Sequence, residues 1–167
     1  MKRLIFTIHL LFSCSSAIAD SCYDAIRDRG MAVDMQNWNM MLGAADNVIR
    51  NCGYTTGRPF GRIVADKVIA NIKLYNYEAA VTNIDECLKN YPAYPVCFYW
   101  KAVIFRDANL RVEFETAKKE AREAATYFVR NRSQLLSDAL TSEDRLNIAT
   151  DIDVAAAVLN NLKELTF

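Results

Sequence analysis

The chain predicts an all-α protein of about three stacked antiparallel helical hairpins, closed by a C-terminal helix and stapled by two disulfides. Three observations carry this. Only five glycines and three prolines occur in 167 residues, so long helix-compatible stretches dominate. A pattern of small and large residues repeats: Ala44-Ala45-x-x-x-Ile49-x-x-Cys52 returns 35 residues later as Ala79-Ala80-x-x-x-Ile84-x-x-Cys87. A third copy, Ala117-x-x-x-Ala121-x-x-Ala124, follows the second after 37 residues. Small residues three and four apart share one helix face and let a neighbouring helix approach closely, as stacked hairpins require. The third observation is the even cysteine set Cys22, Cys52, Cys87 and Cys97.

Residues 1–19 read as a secretory signal: Lys2-Arg3, an apolar run from Leu4 to Phe12, then Ala17-Ile18-Ala19 before Asp20. The run is too short to span a bilayer. The remaining residues, 20–167, are expected to form a single helical-repeat domain. The chain's one histidine, His9, lies in the signal. A mature chain without imidazole excludes histidine acid–base chemistry, Ser-His-Asp and Cys-His nucleophiles and histidine metal sites. Cys14 also lies there. Leu11-Phe12-Ser13-Cys14 is a loose lipobox, so a lipid anchor through Cys14 is the alternative to a free periplasmic protein. Cleavage after Ala19 is preferred because it leaves no odd thiol. Without Lys2 and Arg3, 18 basic residues face 20 acidic ones. That balance does not favour nucleic acid as a partner, and no later apolar run is long enough for a membrane span.

The helices are expected near 20–29, 33–51, 59–74, 76–90, 94–107, 111–138 and 142–164. Gly53 to Gly61 is the longest break, rich in turn residues. Asn90-Tyr-Pro92-Ala-Tyr-Pro95 is the second, with Pro95 suited to a first helical turn. Thr141-Ser142-Glu143-Asp144 reads as a helix start with acids at the positive end of the macrodipole. The last helix carries Leu146, Ile152, Ala155, Ala156, Leu159 and Leu162 at helical spacing, a face to cap the stack's open end, and Asp151 is expected toward solvent. Cys22 begins one helix and Cys52 ends its antiparallel partner. Cys87 ends another helix and Cys97 begins the next. Pairings Cys22–Cys52 and Cys87–Cys97 follow from this layout.

At the second copy the chain resembles the tetratricopeptide repeat family, over residues 61–125. Tyr77, Ala80, Ile84, Cys87 and Pro92 fall at the spacings of that family's second helix, and Ala102 and Phe105 match the small-then-aromatic positions of the next. The family's Leu-Gly pair is replaced by Lys67-Val68. The resemblance implies a groove lined by the first helix of each hairpin. Its matching positions are Arg62, Ala65, Ile69, Ile72 and Lys73, then Val96, Tyr99, Val103, Arg106 and Asp107. The lysine and asparagine pattern that clamps C-terminal carboxylates in that family is not reproduced.

Aromatic residues supply the binding clue. Core packing accounts for Phe98 and Phe105, but one helix cannot bury all of Phe98-Tyr99-Trp100, and Tyr and Trp are common binding anchors. Arg62, Lys73, Tyr99 and Arg106 are therefore the candidate binding residues, for another protein or peptide of acidic character. The four cysteines read as structural rather than reactive or zinc-binding, since no Cys-x-x-Cys pair occurs. Carboxylates are the remaining catalytic route. Asp85 and Glu86, like Glu113 and Glu115, diverge on their helices, and Glu78 stands apart, so each reads as a solvated face. No cofactor or metal is expected. The expectation is an exported, non-catalytic protein–protein interaction module of a bacterial envelope. The alternatives are an immunity protein that neutralises a secreted toxin enzyme and a carboxylate-based hydrolase of cell-wall glycan.

Overall fold

The structure, a computed structural model, describes residues 20–167; the expected signal segment, with His9 and Cys14, lies outside the described residues. The described residues form eight helices: α1 (20–34), α2 (Trp38–Cys52), α3 (Gly57–Lys73), α4 (Tyr77–Asn90), α5 (Pro95–Asp107), α6 (Arg111–Arg130), the short α7 (Arg132–Ser137) and α8 (Ser142–Glu164). Helices α1/α2, α3/α4 and α5/α6 are consecutive hairpins. Within the stack α3 packs on α2 and α4, and α5 packs on α3, α4 and α6. Helix α8 packs on α5 and α6 as α5 packs on α3 and α4, so it takes the place of the first helix of a further hairpin. Stacked antiparallel hairpins with a C-terminal cap are thus the architecture.

Each hairpin turns in the same way. The N–H of Asn37 reaches the carbonyl of Ala32 and that of Gln36 reaches Val33. Asn76 and Tyr75 do the same to Asn71 and Ile72, and Leu110 and Asn109 to Phe105 and Arg106. This is the Schellman closure, in which the residue just past the helix adopts a left-handed backbone. Gln36, Tyr75 and Asn109 have φ of 51°, 60° and 58°. The first helix of every hairpin therefore ends in one motif, a repeat visible in the backbone rather than in residue identity.

The turns also correct two boundaries. The sequence places a break at 30–32, but α1 runs through Gly30 to residue 34 and stops at the Gln36 turn. A single helical glycine costs only about 1 kcal/mol, less than the packing that carries α1 onward through the fully buried Ala32. The expected helix 111–138 is two helices that meet at Asn131.

Small residues set the helix spacing. Ala80, Ala102, Ala121, Ala125 and Ala155 are all fully buried, as are Phe114 and Val64. Cys22 bonds to Cys52 and Cys87 to Cys97, with Cα separations of 4.7 and 6.6 Å. The first cystine ties α1 to the end of α2, and the second ties α4 to α5 across the Pro92–Pro95 turn. Such bonds belong to oxidising compartments. No helix among the described residues is long and apolar enough to cross a membrane.

Candidate functional site

Three of the four candidate binding residues come together. Lys73 ends α3, and Tyr99 and Arg106 lie on α5, which packs beside it. They line a cleft of about 340 Å³ with Tyr75, Tyr77, Trp100 and Asp107 over a floor of Ile72 and Val103. The rings of Tyr99 and Trp100 meet edge-on at 5.2 Å, and those of Tyr75 and Tyr77 at 6.4 Å. Arg106 grips Asp107 through Nε at 2.9 Å and Nη2 at 2.7 Å. Lys73 is exposed and has no ion pair among the described residues. The Tyr99 hydroxyl is pushed up from the ordinary phenol range, first by burial and then by nearby Glu164, with Arg106 opposing. It therefore stays protonated at neutral pH and can donate. A smaller apolar pocket of about 200 Å³ adjoins the cleft and shares Tyr77 and Asp107 with it.

Arg62 is elsewhere. It is the one candidate that the fold withdraws from the groove. Its Nε and Nη2 hold Oδ1 of Asp151 at 2.8 and 2.7 Å. Its Nη1 reaches Oδ1 of Asn147 at 2.8 Å, and Nη2 also donates to the Asn147 carbonyl. Asp151 is fully buried, where the sequence places it toward solvent. The face that α8 buries is Ile148, Asp151, Ile152, Ala155, Val158 and Leu162, while Leu146 is 69% exposed. Asp151 stands three residues after Ile148 and four before Ala155, in the middle of the stripe. Its second oxygen accepts from the Tyr91 hydroxyl at 2.7 Å. The Tyr91 ring stacks on Tyr94 at 4.8 Å, and the Arg58 guanidinium lies over it at 5.6 Å. Both tyrosine hydroxyls are pushed far up, by burial first and then by the Asp151 charge.

A second buried pair joins α1 to α3. Arg29 donates through Nε to Asp66. Burial raises the Asp66 carboxyl above the usual range, and Arg29 offsets this only in part. The acids singled out in the sequence lie on outer helix faces: Glu78, Asp85, Glu113 and Glu115 are exposed and Glu86 is half-buried. Among the described residues the two deeply buried acids, Asp66 and Asp151, are each taken up by an arginine.

Ala65, a groove position by the resemblance, is also sealed, at 2% exposure. Only the C-terminal half of the expected groove is open. Tyr75 belongs to the site and escaped sequence reasoning, as did the placement of Tyr77. The signal available was the stretch Leu74-Tyr75-Asn76, which must turn without glycine or proline. No family model, curated protein or solved structure matches this chain.

Proposed function

We propose that this protein is an exported, non-catalytic interaction module that takes a short peptide segment of a partner protein in the α3/α5 cleft. The observation that carries the reading is Tyr75. A left-handed residue at a helix end is usually glycine or asparagine. A large side chain there costs about 1 kcal/mol. Tyr75 holds this conformation, at φ 60°, with 79% of its surface exposed. Its ring buries little that would repay the strain within the fold, but it lines the cleft beside Tyr99, Lys73 and Arg106. Strained residues cluster where function needs a side chain in a fixed place.

The cleft's chemistry selects the segment. Lys73 offers an unpaired ammonium, Tyr99 a protonated hydroxyl, and Tyr75 and Trp100 flat apolar faces. An acidic residue beside an aliphatic one suits this surface, the acid toward Lys73 and the aliphatic chain toward the neighbouring apolar pocket. Stacked helices and the Cys87–Cys97 bond hold α4 and α5 in place before binding, which limits the ordering cost. The stacking, the residues quoted at 61–125 and the inner-layer cleft also support membership of the tetratricopeptide repeat family. The two cystines support an exported, oxidising location, and the Ala17-Ile18-Ala19 cut site, more regular than Leu11-Phe12-Ser13-Cys14, supports a free periplasmic protein over a lipid-anchored one.

Tyr75→Gly is the test. It should leave the protein as stable or raise its stability by about 1 kcal/mol, while capture of partners from an envelope extract weakens at least tenfold. Tyr99→Ala with Arg106→Ala should weaken the same capture with the helical circular dichroism intact. Undiminished capture by both variants would reject the cleft as the binding surface.

A further inference from the structure

We infer that the cavity between α1, α3 and α8 is a binding site for a free α-amino acid, held between the guanidinium of Arg29 and the carboxylate of Glu143. The cavity measures about 170 Å³ and lies away from the cleft. An apolar cavity of about 150 Å³ accepts benzene, with its six heavy atoms, so this one suits a ligand of about six to eight heavy atoms. Small amino acids are of that size.

The lining supplies two opposite charges and an apolar wall. Arg29 comes from α1 and Arg62 from α3, while Glu143 and Asn147 come from the first turns of α8. Arg62 is committed to the fold, because each of its three nitrogens is engaged by Asp151 or Asn147 and at most one N–H, on Nη1, is left over. Arg29 differs. Its Nε holds Asp66, and a guanidinium carries four further N–H donors on its terminal nitrogens. A carboxylate is the group that such a fork accepts best. The first turn of α3 reinforces this, since Thr56 makes no side-chain cap bond and no acid occupies that turn. The positive end of the helix therefore borders the cavity with no acid in its own first turn, and Glu143 of α8 is the unpaired carboxylate among the lining residues.

Glu143 decides between ligand classes. It is exposed and makes no ion pair among the described residues. A simple anion would meet its charge, and a simple cation would meet that of Arg29. A zwitterion satisfies both. Ile26, Ile63 and Tyr54 line the remainder and offer apolar surface for a small side chain. The Cys22–Cys52 bond fixes α1 against the end of α2, which carries Val48 and leads through Gly53 to Tyr54, so these walls are set before a ligand arrives.

Calorimetric titration of the purified protein with single free amino acids, from glycine to aspartate, at up to about 10 mM, tests the site. At least one should bind saturably, and its N-acetyl and amide derivatives should each bind at least tenfold more weakly. Glu143→Gln breaks no hydrogen bond or ion pair among the described residues and should weaken the amino acid about tenfold, while the melting temperature falls only slightly through the lost charge at the start of α8. Arg29→Lys keeps a charge for Asp66 but loses the fork, and should weaken it by at least as much. The proposal is overturned if no free amino acid binds, if the derivatives bind equally well, or if Glu143→Gln binds like the parent protein. These outcomes do not bear on the α3/α5 cleft, whose residues are separate.

Discussion

Asp151→Ala removes the acceptor at the centre of the buried network, and the structure sets the size of the effect. The carboxylate accepts one hydrogen bond from Arg62 Nε at 2.8 Å, with Nη2 in ion-pair contact at 2.7 Å, and one from the Tyr91 hydroxyl at 2.7 Å. Without it, an arginine side chain only 17% exposed keeps its charge with no anion beside it. Removing one member of a buried ion pair costs about 3–5 kcal/mol. An orphaned buried hydroxyl costs about 1–3 kcal/mol, but the two penalties share one cause and do not add. We expect about 4 kcal/mol, a large part of the 5–15 kcal/mol that holds an ordinary domain together. In a domain of this size the melting temperature should fall by about 12 °C. Urea denaturation at neutral pH, followed by far-ultraviolet circular dichroism, measures it. The combined variant Arg62→Met, Asp151→Leu, Tyr91→Phe should lose less than Asp151→Ala, because no charge remains to be desolvated. A loss below about 1 kcal/mol for Asp151→Ala, or a combined variant less stable than the single one, would refute the reasoning.

The same network can be approached from Gly61. A Cβ there would stand 2.7 Å from the Tyr91 Cβ, which is anchored to its own backbone, so Gly61→Ala should cost about 1–3 kcal/mol by forcing α3 and the α4–α5 turn apart; unchanged stability in denaturant would show that the turn yields freely. Asp66 gives a pH dependence. Its folded pKa is raised by burial, so its contribution favours the fold below the ordinary carboxylate range and is lost as pH rises through the raised value. Asp66→Asn should therefore compare better with the parent at about pH 8 than at about pH 4, and a difference independent of pH would contradict the assignment. The cystines span 30 and 10 residues. Replacing the Cys22–Cys52 pair by alanines should cost about 3.5 kcal/mol and the Cys87–Cys97 pair about 2.5 kcal/mol in the chain-entropy description; the reverse order would show that native-state contacts outweigh loop closure.

Fold class and cystine pairing were legible because both rest on local periodicity. Alanines at three- and four-residue spacing mark close helix faces, and cysteines at the facing ends of consecutive helices meet across the turn or hairpin between them. The turn at Gln36 was not legible. Its left-handed residue is a glutamine, while Gly30, the apparent stop, sits inside a helix whose far end is held by packing. Asp151 was misplaced for a related reason. A carboxylate within an apolar stripe reads as an interruption, and only the arrival of Arg62, 89 positions away in sequence, turns it into a buried member of the face. Lys73, Tyr99 and Arg106 line one cleft, and the groove positions that the resemblance implies include all three. Tyr75 was missed because register says nothing about a residue in the turn itself.

Arg62 ties these results together. By register it belongs on the inner face with Lys73, and its charge made it a candidate for an acidic partner. The chain supplies that acid itself, from α8. Once Asp151 and Asn147 have taken its nitrogens, the N-terminal half of the inner face is closed, with Ala65 sealed beneath. What remains open runs from Lys73 and Tyr75 at the end of α3 to Arg106 and Asp107 at the end of α5. Those two helix ends each close in a Schellman turn. The capping helix thus narrows a groove that could have run along the whole stack to one short cleft with rigid ends. A surface of that size fits a few residues of an extended peptide and not a long helix laid across several repeats.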